Sequence, residues 1–289
     1  MDRIRRVFRW GVAEELVPAT VHQALTTVAG LQRGRTPARE TEPIGPVEDA
    51  VVEATLPFLN RHVRGLIEFQ RLTGCRPTEA CQIRRSDIDM SGSIWFYKPA
   101  LHKTAWRGKT RAIAIGPKAQ ELLKEFFSPD LSAFLFSPAR AVEKQRTERA
   151  AKRKTPRYPS HMTRNETKRV KNRKRPPSDR YDRFSYLTAI TRACDKAFPP
   201  VDELAQKEGE SAAKWWERLT PEQRSEVKAW RKQHHWHPNQ LRHTFATRVR
   251  KEHGLEAAQV LLGHSKADVT QIYAAKNEEL AATVAAKIG

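Results

Sequence analysis

Within the last third of the chain, the run "NQLRHTFATRVRKEHGLEAAQVLLGHSKADVTQIYA" places Arg242 and His243 on one helical stretch, His264 just after a glycine turn, and Tyr273 nine residues later. These residue types suit phosphate chemistry. A phosphoryl group in transfer spreads negative charge over its non-bridging oxygens, and a guanidinium offers a planar fork that matches them. A phenol beside two guanidiniums and an imidazole gains phenolate character as it attacks, although a free phenol titrates near pH 10. Taken singly, each residue has an ordinary explanation: His264 as a cap, Tyr273 as a core phenol, the arginines as solvent-facing charges.

Such groups need a scaffold to hold them. Ile4 to Val28 shows helical periodicity broken at Pro18, which gives two short helices. The stretch 33–46 is rich in Arg, Gly, Pro and Thr and reads as a linker between a helical segment, residues 1–32, and a main domain, residues 47–289. In that domain, helices occupy residues 47 to 74 and stop at Gly74, where a left-handed cap carries little strain. A new helix begins at "RPTEACQIRRSDI", with Pro77 in its first turn. "GSIWFYKP" and "RAIAIGP" read as paired strands joined by the polar loop "ALHKTAWRGKT", and "AFLFSP" is ambiguous.

Residues 140–180 carry 16 Lys or Arg against four acids and read as a basic insertion, either a solvated excursion or an arm that contacts phosphates. After a helix over Tyr186 to Phe198, a second, helical insertion spans about 199–236. It holds a helix start at Thr220, with Pro221 next and Gln223 three residues on. Three more helical segments close the chain.

Composition bounds the partner. Across 289 residues, 53 Lys and Arg oppose 33 Asp and Glu, a formal charge of +20 that favours a polyanion over a neutral metabolite. No apolar run approaches a membrane span and no secretory signal is recognisable, so the expected location is the cytoplasm. Cys75, Cys81 and Cys194 are an odd set that fits a reducing compartment. The run "HHWHP" lacks the companion ligands of a zinc site.

Jointly, "TGCRPTEAC" around Arg76, "HKT" at Lys103, "LRHTFAT" around Arg242, "LLGHS" at His264 and "VTQIY" at Tyr273 resemble the tyrosine recombinase, or phage-type integrase, family. The resemblance covers roughly residues 47–289 apart from the two insertions. It implies a mainly α fold of the α+β kind, in which a helical catalytic domain carries a small antiparallel sheet. Residues 1–32 would be the remnant or end of an N-terminal DNA-binding domain. By the same resemblance, Arg76 and Arg242 clamp the scissile phosphate, His264 binds it or assists proton movement, Tyr273 is the nucleophile, and Lys103 protonates the leaving 5′ oxygen. Glu79 would orient Arg76, with His243 in a supporting place.

The sequence departs from the family at Asn239, where a histidine usually stands three residues before the second arginine. An amide still donates a hydrogen bond there but takes up no proton. The implied activity is site-specific cleavage and rejoining of double-stranded DNA through a 3′-phosphotyrosyl intermediate, by a homotetramer on paired sites, with no cofactor and no metal. A relaxing topoisomerase, a telomere resolvase and a catalytically silent DNA-binding regulator are the alternatives.

Overall fold

The computed structural model describes residues 2–32, 34–37, 39–40, 42–100, 110–156, 158–168 and 176–263. Lys103, His264, Tyr273 and the helix expected after them lie outside the described residues. The chain divides into two compact units, Met1–Pro43 and Ile44–Gly289.

The first unit is a helical pair, α1 (Asp2–Ala13) and α2 (Ala19–Thr27), separated around Pro18. Proline has no N–H to donate into a helix interior, which makes it a natural boundary here. Arg5 ties the pair together, its Nε donating to the Leu25 carbonyl at 3.0 Å and its Nη2 to that of Val28.

The second unit is mostly helical and begins with α3 (Asp49–Thr55) and α4 (Arg61–Thr73). α4 is the axis of the core, because Val63, Leu66, Ile67, Phe69, Gln70 and Thr73 are all buried along it. Asn60 caps its start by accepting from the Val63 N–H at 3.1 Å. Gly74 ends it at φ 62°, a left-handed conformation in which a Cβ would also lie 2.2 Å from Phe245.

Next come α5 (Pro77–Gln82) and a three-stranded antiparallel sheet, β1 (Ile88–Asp89), β2 (Trp95–Tyr97) and β3 (Ile113–Ile115), in the order β1-β2-β3. Ile88 pairs with Tyr97, and Tyr97 with Ile113. The alternation sends Tyr97, Ile113 and Ile115 into the core. The helix expected from "RPTEACQIRRSDI" is therefore shorter than its sequence suggests: it ends at Gln82, and Ile88 and Asp89 join the sheet. The ambiguous "AFLFSP" contributes a single bridge, Phe134 to Arg84.

The remaining helices are α6 (Pro117–Lys124), α7 (Pro138–Ala151), α8 (Pro159–Thr167), α9 (Arg183–Ala197), α10 (Ala212–Arg218), α11 (Pro221–His234) and α12 (Pro238–Leu262). α7 and α8 form much of the basic insertion, which is more regular than an excursion. α11 starts as its sequence predicts, with the Thr220 hydroxyl accepting from Gln223 N–H at 3.3 Å and the Gln223 side chain accepting from Thr220 N–H at 3.0 Å. Arg231 on α11 grips Asp195 on α9 through two nitrogens, at 2.8 and 2.9 Å, and so anchors the helical insertion. α12 bends at Gly254, where φ 87° and ψ 174° interrupt the helix. That bend stands where the sequence separates two helical segments.

Candidate active site

The helix that carries Arg242 packs along α4, and this brings motifs far apart in sequence together. Arg242 is 0 % exposed. Its Nη1 donates to the Gly74 carbonyl at 2.6 Å and its Nη2 to the Leu262 carbonyl at 2.7 Å. Both acceptors are helix-end carbonyls, one at the cap of α4 and one in the last turn of α12. Such carbonyls lack intrahelical partners and sit at the negative end of a helix dipole, so a cation is favoured there. One guanidinium thus ties down the residue two before Arg76 and the residue two before His264.

Arg76 stands immediately before α5, where Pro77 supplies the first turn. Its Nη1 donates to Glu79 Oε1 at 2.8 Å, and its backbone N–H donates to Glu79 Oε2 at 2.8 Å. The Glu79 carboxylate thus engages Arg76 through the backbone as well as the side chain. The Arg76 side chain is 27 % exposed and that of Glu79 only 2 %. Burial works against ionisation of Glu79, but the neighbouring Arg111, the Arg76 N–H and the Arg76 guanidinium outweigh it and hold the carboxyl below its ordinary range. The two arginines expected to clamp the phosphate differ in setting: Arg76 opens partly to solvent, while Arg242 is enclosed and engaged with backbone.

Between Gly74 and Arg76 lies Cys75, fully buried. Burial and then the Glu79 charge push its thiol up to about 12, against the opposing influence of Thr73, Arg242 and Arg111. It stays a neutral packing group at physiological pH. Tyr97 closes the floor, its hydroxyl donating to the Glu79 carbonyl at 3.0 Å.

The phage integrase family model matches residues 203–279, a stretch that holds Asn239, Arg242, His243, His264 and Tyr273. That match covers about a quarter of the chain.

No curated protein matches the chain. Among solved structures, the integrase of transposon Tn1549 in complex with circular intermediate DNA is similar, with a TM-score of 0.52, 16 % identity, and coverage of 99 % of this chain and 86 % of that one. A lambda integrase dimer bound to a COC′ core site matches with a TM-score of 0.50 and 16 % identity, covering 93 % of this chain and 56 % of that one. A XerH site-specific recombinase bound to difH substrate gives a TM-score of 0.43 at 16 % identity, covering 86 % of this chain. The chain spans 55 % and 50 % of the length of the two XerH structures that it matches. At these identities the likeness to the Tn1549 and lambda integrases is one of fold.

Within the matched stretch, Asn239 lies one turn before His243, its Nδ2 3.5 Å from His243 Nε2. The amide therefore faces an imidazole on its own helix. His237 is the residue at the N-terminal boundary of α12, where its backbone N–H donates to the Gln240 side chain at 3.0 Å. Burial lowers the pKa of its imidazole.

One residue of the site is not signalled by the sequence motifs. Arg111, just ahead of β3, is 5 % exposed and brings its Nε to 3.6 Å from Glu79 Oε1. In sequence it is one more arginine at the start of a strand, and only the fold reveals that it points inward.

Proposed function

We propose that this chain cleaves and rejoins double-stranded DNA at specific sites through a transient 3′-phosphotyrosyl bond at Tyr273. The observation that carries the reading is the placement of the Arg242 guanidinium, which bonds the backbone beside Arg76 across 168 positions and the backbone beside His264 across 20. Arg76, the more open of the two arginines, meets a non-bridging oxygen of the scissile phosphate. Arg242 supplies fixed positive charge and holds both flanking segments in place, so that little reorganisation accompanies the reaction.

The Tyr273 oxygen attacks phosphorus, a P–O bond to it forms, and the P–O bond to the 5′ oxygen breaks. Lys103 gives its proton to that leaving oxygen, and His264 assists proton movement at the phosphate. The new ester conserves the energy of the broken one, so the 5′ hydroxyl of the same or another strand reverses the step without a cofactor. Exchange between paired sites calls for a homotetramer. The similar Tn1549 and lambda integrases were solved bound to DNA, which supports a DNA partner, as does the charge of +20.

A DNA duplex nicked so that the released 5′ end diffuses away tests the proposal. The expected result is a covalent adduct that survives denaturant with the full chain and is lost in Tyr273→Phe. No adduct at low salt would reject the enzyme and leave a DNA-binding regulator with Asn239 in place of a proton acceptor.

A further inference from the structure

The carboxylate of Glu79 serves two buried or half-buried cations at once. Its Oε1 accepts from Arg76 Nη1 at 2.8 Å and faces Arg111 Nε at 3.6 Å, an ion-pair distance rather than a hydrogen bond. The Arg111 side chain is almost wholly enclosed, yet among the described residues its Nε and Nη2 have no hydrogen-bond partner. Its Nη1 reaches only the outer limit of hydrogen bonding, 3.5 Å from the Leu261 and Ala112 carbonyls.

Guanidiniums remain charged at any ordinary pH, so one carboxylate leaves this pair of arginines with a net positive charge. Burying an uncompensated charge is unfavourable, and the penalty is relieved when an anion settles beside the cluster. Arg76 is the open end at which it can do so. Gly263 packs on the other side of Arg111: it is left-handed at φ 64°, and a Cβ there would stand 2.0 Å from Arg111 Nη1. The guanidinium thus touches both the carboxylate that aims Arg76 and the turn that leads to His264.

We propose that Arg111 is a positioning residue of the phosphate site, acting through Glu79 on Arg76. The inference rests on the reading of the chain as a DNA strand transferase. It assigns Arg111 the task of keeping Glu79 ionised and shared. With only Arg76 beside it, Glu79 would take up a proton more readily and loosen its hold on that arginine. The groups that face Glu79 are Arg76 and Cys75 ahead of α5, Arg111 ahead of β3 and Tyr97 on β2.

The test uses the full chain with the nicked duplex in single turnover, on Arg111→Met and Arg111→Lys, with DNA affinity measured separately in the Tyr273→Phe background. Arg111→Met is expected to slow adduct formation about 10- to 100-fold, the range typical of supporting residues around a reacting centre, while DNA affinity is unchanged. Its pH–rate profile should lose activity at a higher pH on the acid side, because Glu79 is no longer held ionised by a second cation. Arg111→Lys keeps the charge and is expected to retain the wild-type acid limb with an intermediate rate.

A residue that only fills space would leave the acid limb where it is in both variants, and that result overturns the proposal, as does a wild-type rate in Arg111→Met. Should Arg111→Met fail to fold in a melting experiment, Arg111→Gln takes its place: a slowed rate with the acid limb moved to higher pH supports the assignment, and an unmoved limb overturns it. Absence of adduct with the wild-type chain would instead strike at the function reading.

Discussion

Two regions of this molecule are crowded with cations and use them in opposite ways. Around Glu79, Arg76, Arg111 and Arg242 have defined partners and two of the three are enclosed. In the basic insertion, 16 Lys and Arg fall within residues 140–180, yet neither α7 nor α8 buries a single described residue. Enclosed charge is screened little by salt and is fixed in direction, which suits it to hold a reacting group. Solvated charge attracts a polyanion from a distance and fades as salt is added. The same side chain therefore does local work in one region and long-range work in the other.

Stability measurements test this contrast, beginning with Arg242. Arg242→Met removes the donor shared by the Gly74 and Leu262 carbonyls and is expected to cost about 3–5 kcal/mol, the range for removing one side of a buried charged interaction. Urea unfolding checks it, and a midpoint equal to that of the wild type would mean that the enclosed arginine supports nothing.

His62 lies where the core meets the start of the basic insertion, its Nδ1 accepting from the Ser137 N–H at 3.3 Å. Burial, followed by the charges of Arg140 and Arg61, lowers it from 6.5 to about 4. The unfolded chain therefore takes up this proton first as pH falls, so the stabilisation is full above pH 6.5 and is lost towards pH 4. With allowance for solvent screening the effect is roughly 2 kcal/mol. The stability difference between the wild type and His62→Gln should shrink between pH 7 and 4.5; parallel curves would show an ordinary histidine.

The smallest expected change in stability comes from the insertion. Replacing Arg146, Arg149, Lys152, Arg153 and Lys154 with Gln should alter unfolding by no more than about 0.5 kcal/mol, as for other surface positions. The same variant should flatten the logarithmic salt dependence of DNA binding by up to about 4.5, close to 0.9 for each phosphate that is no longer neutralised. An unchanged slope would remove this region from the DNA interface and leave its charge without the long-range task.

What the sequence disclosed and what it withheld follow from the range of the forces involved. Gly74 and the cap at Thr220 rest on interactions within a few residues, and β2 and β3 follow one another along the chain, so all three are legible in one dimension. β1 is only two residues long, too short for any alternation to register. α7 and α8 have no apolar face, so composition favours a solvated coil although the backbone is helical. In the site, Glu79 could be tied to Arg76 because three helical positions separate them. Arg111 could not, since its partner is 32 positions earlier and on another element. The inequality of Arg76 and Arg242 was also hidden: it depends on which helix ends the fold delivers to the second guanidinium.

The two bonds of Arg242 also differ in what the chain must do to close them. The one to Leu262 completes a loop of 20 positions inside a single bent helix, and the one to Gly74 spans 168. Loop-closure entropy rises as the logarithm of length, which makes the longer closure about 2 kcal/mol less favourable than the shorter. One side chain is thus both a hairpin clasp, set by its own neighbourhood, and a keystone between the two ends of the domain.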